Sequence, residues 1–161
     1  MTDDRTPQAI ADQLAIREVL HRYASALDTK DWSDLAHVFT DEIRADFRTF
    51  GVRRAFKGRA DDWIAMLQGS LGGMDATQHL MGNHRYQVQR NGRARGTTYL
   101  QATHICANAL GGDLYTVGGR YDVALRKIEG AWRIASYTLI VTWRSGDRHV
   151  LRAAARRHLA D

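Results

Sequence analysis

The second half of the chain contains four long strand patterns in succession, separated only by short glycine-containing turns. The four segments are residues 76–90, 95–109, 114–127 and 131–143. The turns between them contain Asn91-Gly92, Gly111-Gly112-Asp113 and Glu129-Gly130. Connections this short join antiparallel neighbours, whereas parallel strands need a long crossover. The pattern therefore predicts a four-stranded antiparallel meander, which restricts the chain to folds built on one large sheet.

Helical spacing dominates the first half of the chain. Apolar residues recur every three or four positions after Pro7, so we expect a long first helix with Thr6 as its N-cap and an end near residues 28–30. Asp31 is expected to cap a second, short helix. Residues 58–71 have the pattern of a third helix, with their apolar residues on one side.

Two short strand patterns and a terminal helix complete the set. Apolar and charged residues alternate from Ile43 to Phe47, which predicts a strand, and residues 52–56 are expected to return as its hairpin partner. A C-terminal helical segment covers residues 145–161, with the helix itself at 148–159. We expect this segment to close the mouth of a pocket; a solvated tail is the alternative.

This order of elements predicts a single α+β domain over residues 1–161. Helices that lie on one side of a mixed or antiparallel sheet are buried only if the sheet curves around the long first helix. The expected shape is a cone with a pocket between the sheet and the helices.

Composition and charge exclude several classes of protein. No run approaches 18 apolar residues, and the terminus MTDDRTPQ lacks the apolar segment of a signal peptide, so we expect no membrane partner. The single cysteine, Cys106, excludes an internal disulfide and favours a cytoplasmic location. The net charge is +5, but residues 144–161 hold five arginines against two aspartates. The rest of the chain is nearly balanced, and we expect no nucleic-acid partner.

Three polar residues are candidates for a site in the pocket. Asp28 lies at the end of the first helix, where the helix dipole disfavours a carboxylate, so it needs a cationic partner or a functional role unless it is a solvated turn residue. His104 shares the apolar face of its strand, and His79 begins the neighbouring strand. The two histidines are expected to reach one pocket; the alternative is a pair of hydrogen-bonded core histidines. An Asp–His pair is a common general base for proton abstraction or transfer.

Other reactive groups do not form motifs. His84 lies five residues after His79, so a regular strand places it on the opposite face, which argues against a site with three histidines. HExxH, spaced Cys/His pairs and GxSxG are absent, and Cys106 lies in an apolar strand. We therefore expect neither a metal nor a Ser or Cys nucleophile.

Several stretches resemble the SnoaL-like branch of the nuclear-transport-factor-2-like superfamily, and scytalone dehydratases within it. The stretches are Tyr23–Trp32, Ile43–Phe50, Thr77-Gln78-His79, Thr103-His104 and the turn Glu129-Gly-Ala-Trp-Arg-Ile134. The resemblance covers residues 9 to 143. It implies a cone fold and a cofactor-independent lyase or isomerase, with an elimination of the dehydratase or dehydrohalogenase kind.

The resemblance also implies roles for individual residues. Asp28, His79 and His104 correspond to the catalytic core, similar to the Asp–His dyad of hexachlorocyclohexane dehydrochlorinase and bile-acid 7α-dehydratase. The substrate-binding residues it implies are Tyr23, Leu27, Phe47 and Tyr121. Leu27 and Phe47 replace two tyrosines that hold a water in scytalone dehydratase, so a more apolar substrate is expected, either a small hydrophobic or a polycyclic aromatic compound.

Two other functions and an assembly state remain open. The chain could be a non-catalytic ligand-binding or assembly module, similar to the β-subunit of a ring-hydroxylating dioxygenase. A hydrolase of the epoxide-hydrolase kind needs an Asp–Arg–Asp set that the sequence does not locate. The resemblance favours a homotrimer, with a dimer as the alternative, and Tyr99, Ile105 and Leu139 are candidate contacts on the outer face of the sheet.

Overall fold

The structure, a computed structural model, describes residues 6–108 and 111–160. These residues form three α-helices, two short 3₁₀ turns and six strands. The helices are α1 (Pro7–Thr29), α2 (Ala60–Leu71) and α3 (His149–His158). The strands are β1 (Phe39–Asp46), β2 (Phe56–Arg59), β3 (Ala76–Gln89), β4 (Arg93–Ile105), β5 (Leu114–Ile128) and β6 (Ala131–Gly146). The 3₁₀ turns are Asp34–His37 and Arg48–Phe50.

All six strands join one curved sheet in the order β2-β1-β6-β5-β4-β3. The meander from β3 to β6 is antiparallel throughout, as the sequence predicts. Strand β1 runs parallel to β6, so the sheet is mixed. In the turn before β6, Glu129 and Gly130 both have positive φ, the backbone of a tight type I′ hairpin. The predicted α+β cone is confirmed.

Helix α1 lies against the concave face of the sheet and forms the centre of the core. Its N-cap is Thr6, whose hydroxyl accepts a hydrogen bond from the amide of Ala9 at 3.1 Å, as predicted. It ends at Lys30, which adopts the left-handed conformation. Its buried face consists of Ile16, Leu20, Tyr23, Ala24, Ala26 and Leu27.

Several predicted boundaries need correction. Strand β2 is Phe56–Arg59, not 52–56, because residues 48–50 form a 3₁₀ turn and Phe56 pairs with Ala45. Helix α2 consequently starts at Ala60, two residues later than predicted. The second helix is only a 3₁₀ turn, but the carboxylate of Asp31 accepts from the amide of Asp34 at its start, as expected of a capping residue. Strand β4 ends at Ile105; residue 109, its predicted end, lies outside the described residues.

Leu139 was predicted on the outer face of the sheet, and this is wrong. It pairs directly with Tyr121 across β5 and β6, and residues directly opposite each other share a face. Leu139 is therefore buried, 3% exposed, on the concave side. Tyr99 and Ile105 are exposed, as expected.

Helix α3 packs over the C-terminal end of α2 and does not line the central cavity. Val150 and Ala154 are fully buried, and a Cβ at Gly73 would collide with the carbonyl of Ala154, so glycine allows this close approach. Arg157 holds the helix in place through Asp75 and the carbonyl of Gly73. Arg148, just before α3, donates to the carbonyl of Phe50, so closure of the pocket mouth by the C-terminal segment stays a prediction.

Candidate active site

A cavity of about 120 Å³ lies between the concave face of the sheet and helices α1 and α2. Its walls are mostly apolar and aromatic. The structure brings six of the predicted site residues to this one cavity: Tyr23, Leu27, Phe47, His79, His104 and Tyr121. At the open edge lie Phe50, Val52 and Met66, which sequence reasoning did not select.

Asp28, the seventh predicted residue, lies behind His79 at the end of α1. Its Oδ1 is 2.6 Å from Nδ1 of His79 and accepts from the Thr77 hydroxyl at 2.8 Å. Its Oδ2 accepts from the backbone amide of His79 at 2.8 Å. The carboxylate that the helix dipole disfavours is thus held by three donors from β3, and it is not a solvated turn group.

These contacts keep Asp28 ionised. Burial raises the pKa of its carboxyl, but the hydrogen bonds from the ring and amide of His79 and from Thr77 more than offset burial and hold the pKa below its ordinary value. Thr77 and His79 are two residues apart and so share one face of β3, which is why both reach the same carboxylate. That spacing was visible in the sequence, yet sequence reasoning assigned no role to Thr77.

His79 and His104 lie together in the cavity wall. Their ring centroids are 5.8 Å apart and their planes nearly perpendicular. Nδ1 of His104 is 3.2 Å from the carbonyl oxygen of Tyr115. Burial, and secondly the charge of His79, lower the pKa of His104 to about 4. His104 is therefore neutral near pH 7.

His84 was predicted to face away from His79, but it lies on the same side of the sheet. Asn83 has positive φ at a register shift between β3 and β4, and the extra residue of this bulge changes the alternation. His84 instead contacts the buried Thr98 hydroxyl at 2.8 Å and His21 of α1, with 3.3 Å between the two Nε2 atoms. Within the described residues, no cluster of three or more His, Cys, Asp or Glu side chains is arranged to hold a metal ion.

A chain of hydrogen-bonded aromatic side chains adjoins the cavity, with Trp63 and Tyr23 in the lining and Tyr137 outside it. The indole N–H of Trp63 donates to the Tyr137 hydroxyl at 2.6 Å, which donates to the Tyr23 hydroxyl at 3.3 Å. The Tyr121 ring lies 6.1 Å from that of Tyr23. Burial raises the pKa of all three tyrosines well above the ordinary value, so all are protonated. Sequence reasoning missed Tyr137 because it placed β6 with the opposite alternation, and it placed Trp63 on the apolar side of its helix without a role in the site.

No helix in the described part of the chain is both long and apolar enough to cross a membrane.

The fold and the cavity can be compared with known proteins. Residues 8–138 match the model of the SnoaL-like domain family. Scytalone dehydratase arp1 of Aspergillus fumigatus is 29% identical over 147 residues, which cover 82% of this chain and 83% of that protein.

Solved structures agree with this relationship. The protein Kfla4162 from Kribbella flavida superposes with a TM-score of 0.84 and 27% identity, covering 90% of this chain and 99% of that one. Hexachlorocyclohexane dehydrochlorinase LinA type 2 superposes with a TM-score of 0.72 over 84% of this chain and 88% of that one. At 14% identity, the second likeness concerns the fold alone. By the extent of the family match, this chain belongs to the SnoaL-like domain family.

Proposed function

We propose that this protein is a cofactor-independent lyase that eliminates a small leaving group from an apolar ring compound, with His79 as the general base. The observation that carries the proposal is the 2.6 Å contact between Nδ1 of His79 and the ionised carboxylate of Asp28, at the wall of an apolar cavity. Its relationship to proteins named scytalone dehydratase supports a lyase-type role.

The proposed step is a proton abstraction. Nε2 of His79 takes a proton from a substrate carbon, and the C–H electron pair becomes the second bond of a C=C. The leaving group departs with the electron pair of its own bond to carbon. Asp28 stabilises the imidazolium that forms and fixes the ring orientation. The proton on Nε2 then passes to the leaving group or to solvent, which returns His79 to its starting state.

The cavity limits the size of the substrate. A cavity of about 120 Å³ is slightly smaller than the roughly 150 Å³ engineered cavity that binds benzene. The cavity is open at Val52 and Met66, so a single-ring substrate is accommodated with part of the ring at this opening, whereas a polycyclic one requires Phe50 and Val52 to move. The proposed substrate is therefore a small, mostly apolar ring compound.

An isomerase is the second candidate, because the same base can return its proton to a different substrate carbon. The two reactions differ in their products: an isomerase product has the mass of the substrate, and a lyase product has lost water or a hydrogen halide. The neighbouring tyrosine hydroxyls, which are protonated, can donate to an oxygen that gains charge in either reaction.

We also propose that the protein self-associates through the outer face of the sheet. Leu80, Tyr99 and Trp143 are each about half exposed and border one shallow depression. An apolar patch of this kind is typical of protein interfaces. Light scattering is expected to give a multiple of 18.2 kDa, with a trimer favoured over a dimer, and a monomer contradicts the proposal.

The lyase proposal is tested by product analysis. Wild-type protein and the His79→Ala variant are incubated with a panel of single-ring compounds that carry a hydroxyl or halide next to an acidic C–H bond. Mass spectrometry is expected to detect loss of water or hydrogen halide with wild type only. If no compound gives a product that depends on His79, the non-catalytic binding module becomes the better account.

A further inference from the structure

Both imidazole rings in the cavity are fixed in the same tautomer. Nδ1 of His79 faces the carboxylate of Asp28, and Nδ1 of His104 faces the carbonyl oxygen of Tyr115. Carboxylate and carbonyl oxygens only accept hydrogen bonds, so each Nδ1 must be the donor. In a neutral imidazole the other nitrogen then has a lone pair and no proton. Each Nε2 is therefore a hydrogen-bond acceptor.

In His104, Nδ1 remains the donor and Nε2 the acceptor throughout the neutral pH range. The residue is 3% exposed, and burial together with nearby His79 lowers its pKa to about 4. A proton on Nε2 would have to be added to a ring that already donates from Nδ1, which makes the buried ring a cation. These surroundings oppose a role for His104 as the acid that supplies a proton to the leaving group.

The side chains around the His104 ring are mostly apolar or aromatic. Phe50 lies with its ring 6.2 Å from that of His104, and Ala102 and Val117 line the same part of the cavity. Within the described residues, Nε2 of His104 has no hydrogen-bond partner, and it is not among the atoms sealed from solvent. Nε2 is therefore an acceptor that opens into the cavity, so a hydrogen-bond donor on a bound ligand can reach it and replace water there.

We infer that Nε2 of His104 accepts a hydrogen bond from a hydroxyl group of the substrate, and that this hydroxyl is the leaving group. The inference rests on the proposed function, because it concerns the same cavity and reaction. A halide of similar size has no proton to donate to this lone pair. The site thus selects dehydration over dehydrohalogenation.

This contact also orients the leaving oxygen. The hydroxyl proton points at His104, so the oxygen lone pairs remain available to His79. His79 takes the proton from carbon, the C–H pair forms the C=C, and the C–O pair stays on oxygen. That oxygen then takes the proton from Nε2 of His79 and leaves as water. His79 serves as base and then as acid, and His104 is a positioning and specificity residue for the leaving group.

The test uses a matched pair of non-reacting probes, p-cresol and 4-chlorotoluene, which differ in a hydroxyl and a chlorine of similar size. Calorimetric titration of wild type is expected to give about tenfold tighter binding of p-cresol. The His104→Phe variant keeps a ring but removes the acceptor, and its preference is expected to reverse. His21→Phe, on the exposed face of α1, is the matched control and should keep the preference.

Two results overturn the inference: equal or tighter binding of 4-chlorotoluene by wild type, or a p-cresol preference that survives in His104→Phe. Because binding needs no turnover, the two proposals fail separately. A His104-dependent preference without any detectable elimination leaves the inference standing and removes the lyase. Elimination without a His104-dependent preference for p-cresol leaves the lyase proposal standing and removes the inference.

A second measurement needs no variant. Nitrogen-15 NMR of the wild-type imidazoles is expected to show His104 protonated at Nδ1 and bare at Nε2 from about pH 5 to 8, where a neutral ring is expected. Addition of p-cresol should shift the His104 Nε2 resonance, and 4-chlorotoluene should not. A His104 ring protonated at Nε2 in this range contradicts the inference.

Discussion

Strand β3 carries two histidines that both face helix α1, and their partners differ. His79 contacts the carboxylate of Asp28 at the wall of an apolar cavity. His84 contacts a second imidazole, His21, near the surface. A carboxylate stabilises the protonated ring, whereas burial and the nearby positive groups of His21 and Arg17 lower the pKa of His84. The comparison teaches that the partner, not the residue type or the strand, makes a histidine suitable as a base.

The largest expected effect is the loss of turnover in His79→Ala, and it distinguishes His79 from His84. His79→Ala should lower turnover on an identified substrate by about 10²–10⁴-fold, the usual range for loss of a general base. The variant should remain folded with a moderately lower melting temperature, because the buried ring donates to the carboxylate of Asp28. Steady-state kinetics and thermal melts of His79→Ala and His84→Ala, run side by side, check this. Equal losses in the two variants would break the comparison.

Asp28→Asn should lower turnover by about 10²-fold, although the amide has the same shape. The two carboxylate oxygens accept from Thr77, from the His79 amide and from the His79 ring. An amide must point its NH₂ either at the backbone amide, where two donors clash, or at the ring, where it forces the wrong tautomer. Asp31→Asn, a neighbouring exposed carboxylate, is the control and should retain full turnover.

The pH dependence of stability should identify His104. Its pKa in the fold is lowered to about 4, whereas the unfolded residue titrates near its ordinary value of about 6.5. Between these values the unfolded chain binds more protons, so the free energy of unfolding falls as pH drops from 6.5 toward 4. His104→Phe should lack this loss, on the order of 3 kcal/mol near pH 4. Urea denaturation of wild type and His104→Phe at pH 7 and 4.5 measures this difference. Equal losses of unfolding free energy in the two proteins would contradict the assignment of the effect to His104.

The smallest expected effect belongs to His84. Replacement by Phe should change turnover by less than about twofold, because its contacts are with His21, Tyr86 and Thr98 and none reaches the cavity lining. Kinetics on the same substrate as for His79 provide the measurement. A large loss of turnover would show that the bulge next to His84 sets the position of His79 along the strand.

The sequence predicts the regular elements well, because turn signals and periodicity are local. The N-cap Thr6, the end of α1 and the three hairpins of the meander follow from residues close together in the chain. The inward positions of Tyr121 and His104 follow from strand alternation. The pairing of His79 with Asp28 came from the family resemblance and not from local signals, because the two residues are 51 positions apart in the chain.

The errors arise where local alternation is interrupted. One added residue at Asn83 turns His84 to the other face, and the register of β6 against β5 moves Leu139 inward. Neither shift has a local pattern in the sequence, because both depend on pairing between strands. The donor set around Asp28 and the tautomer of His104 likewise depend on backbone groups of distant residues, such as the carbonyl of Tyr115.

Chemical rescue tests the central claim, that the imidazole of His79 is the base, most directly. The His79→Ala variant leaves a space next to Asp28 into which free imidazole can enter. The account predicts that added imidazole restores turnover in proportion to the concentration of its neutral form, and that it restores none in Asp28→Asn, where the native ring still occupies the space. A folded His79→Ala variant with full turnover before any imidazole is added would contradict the account.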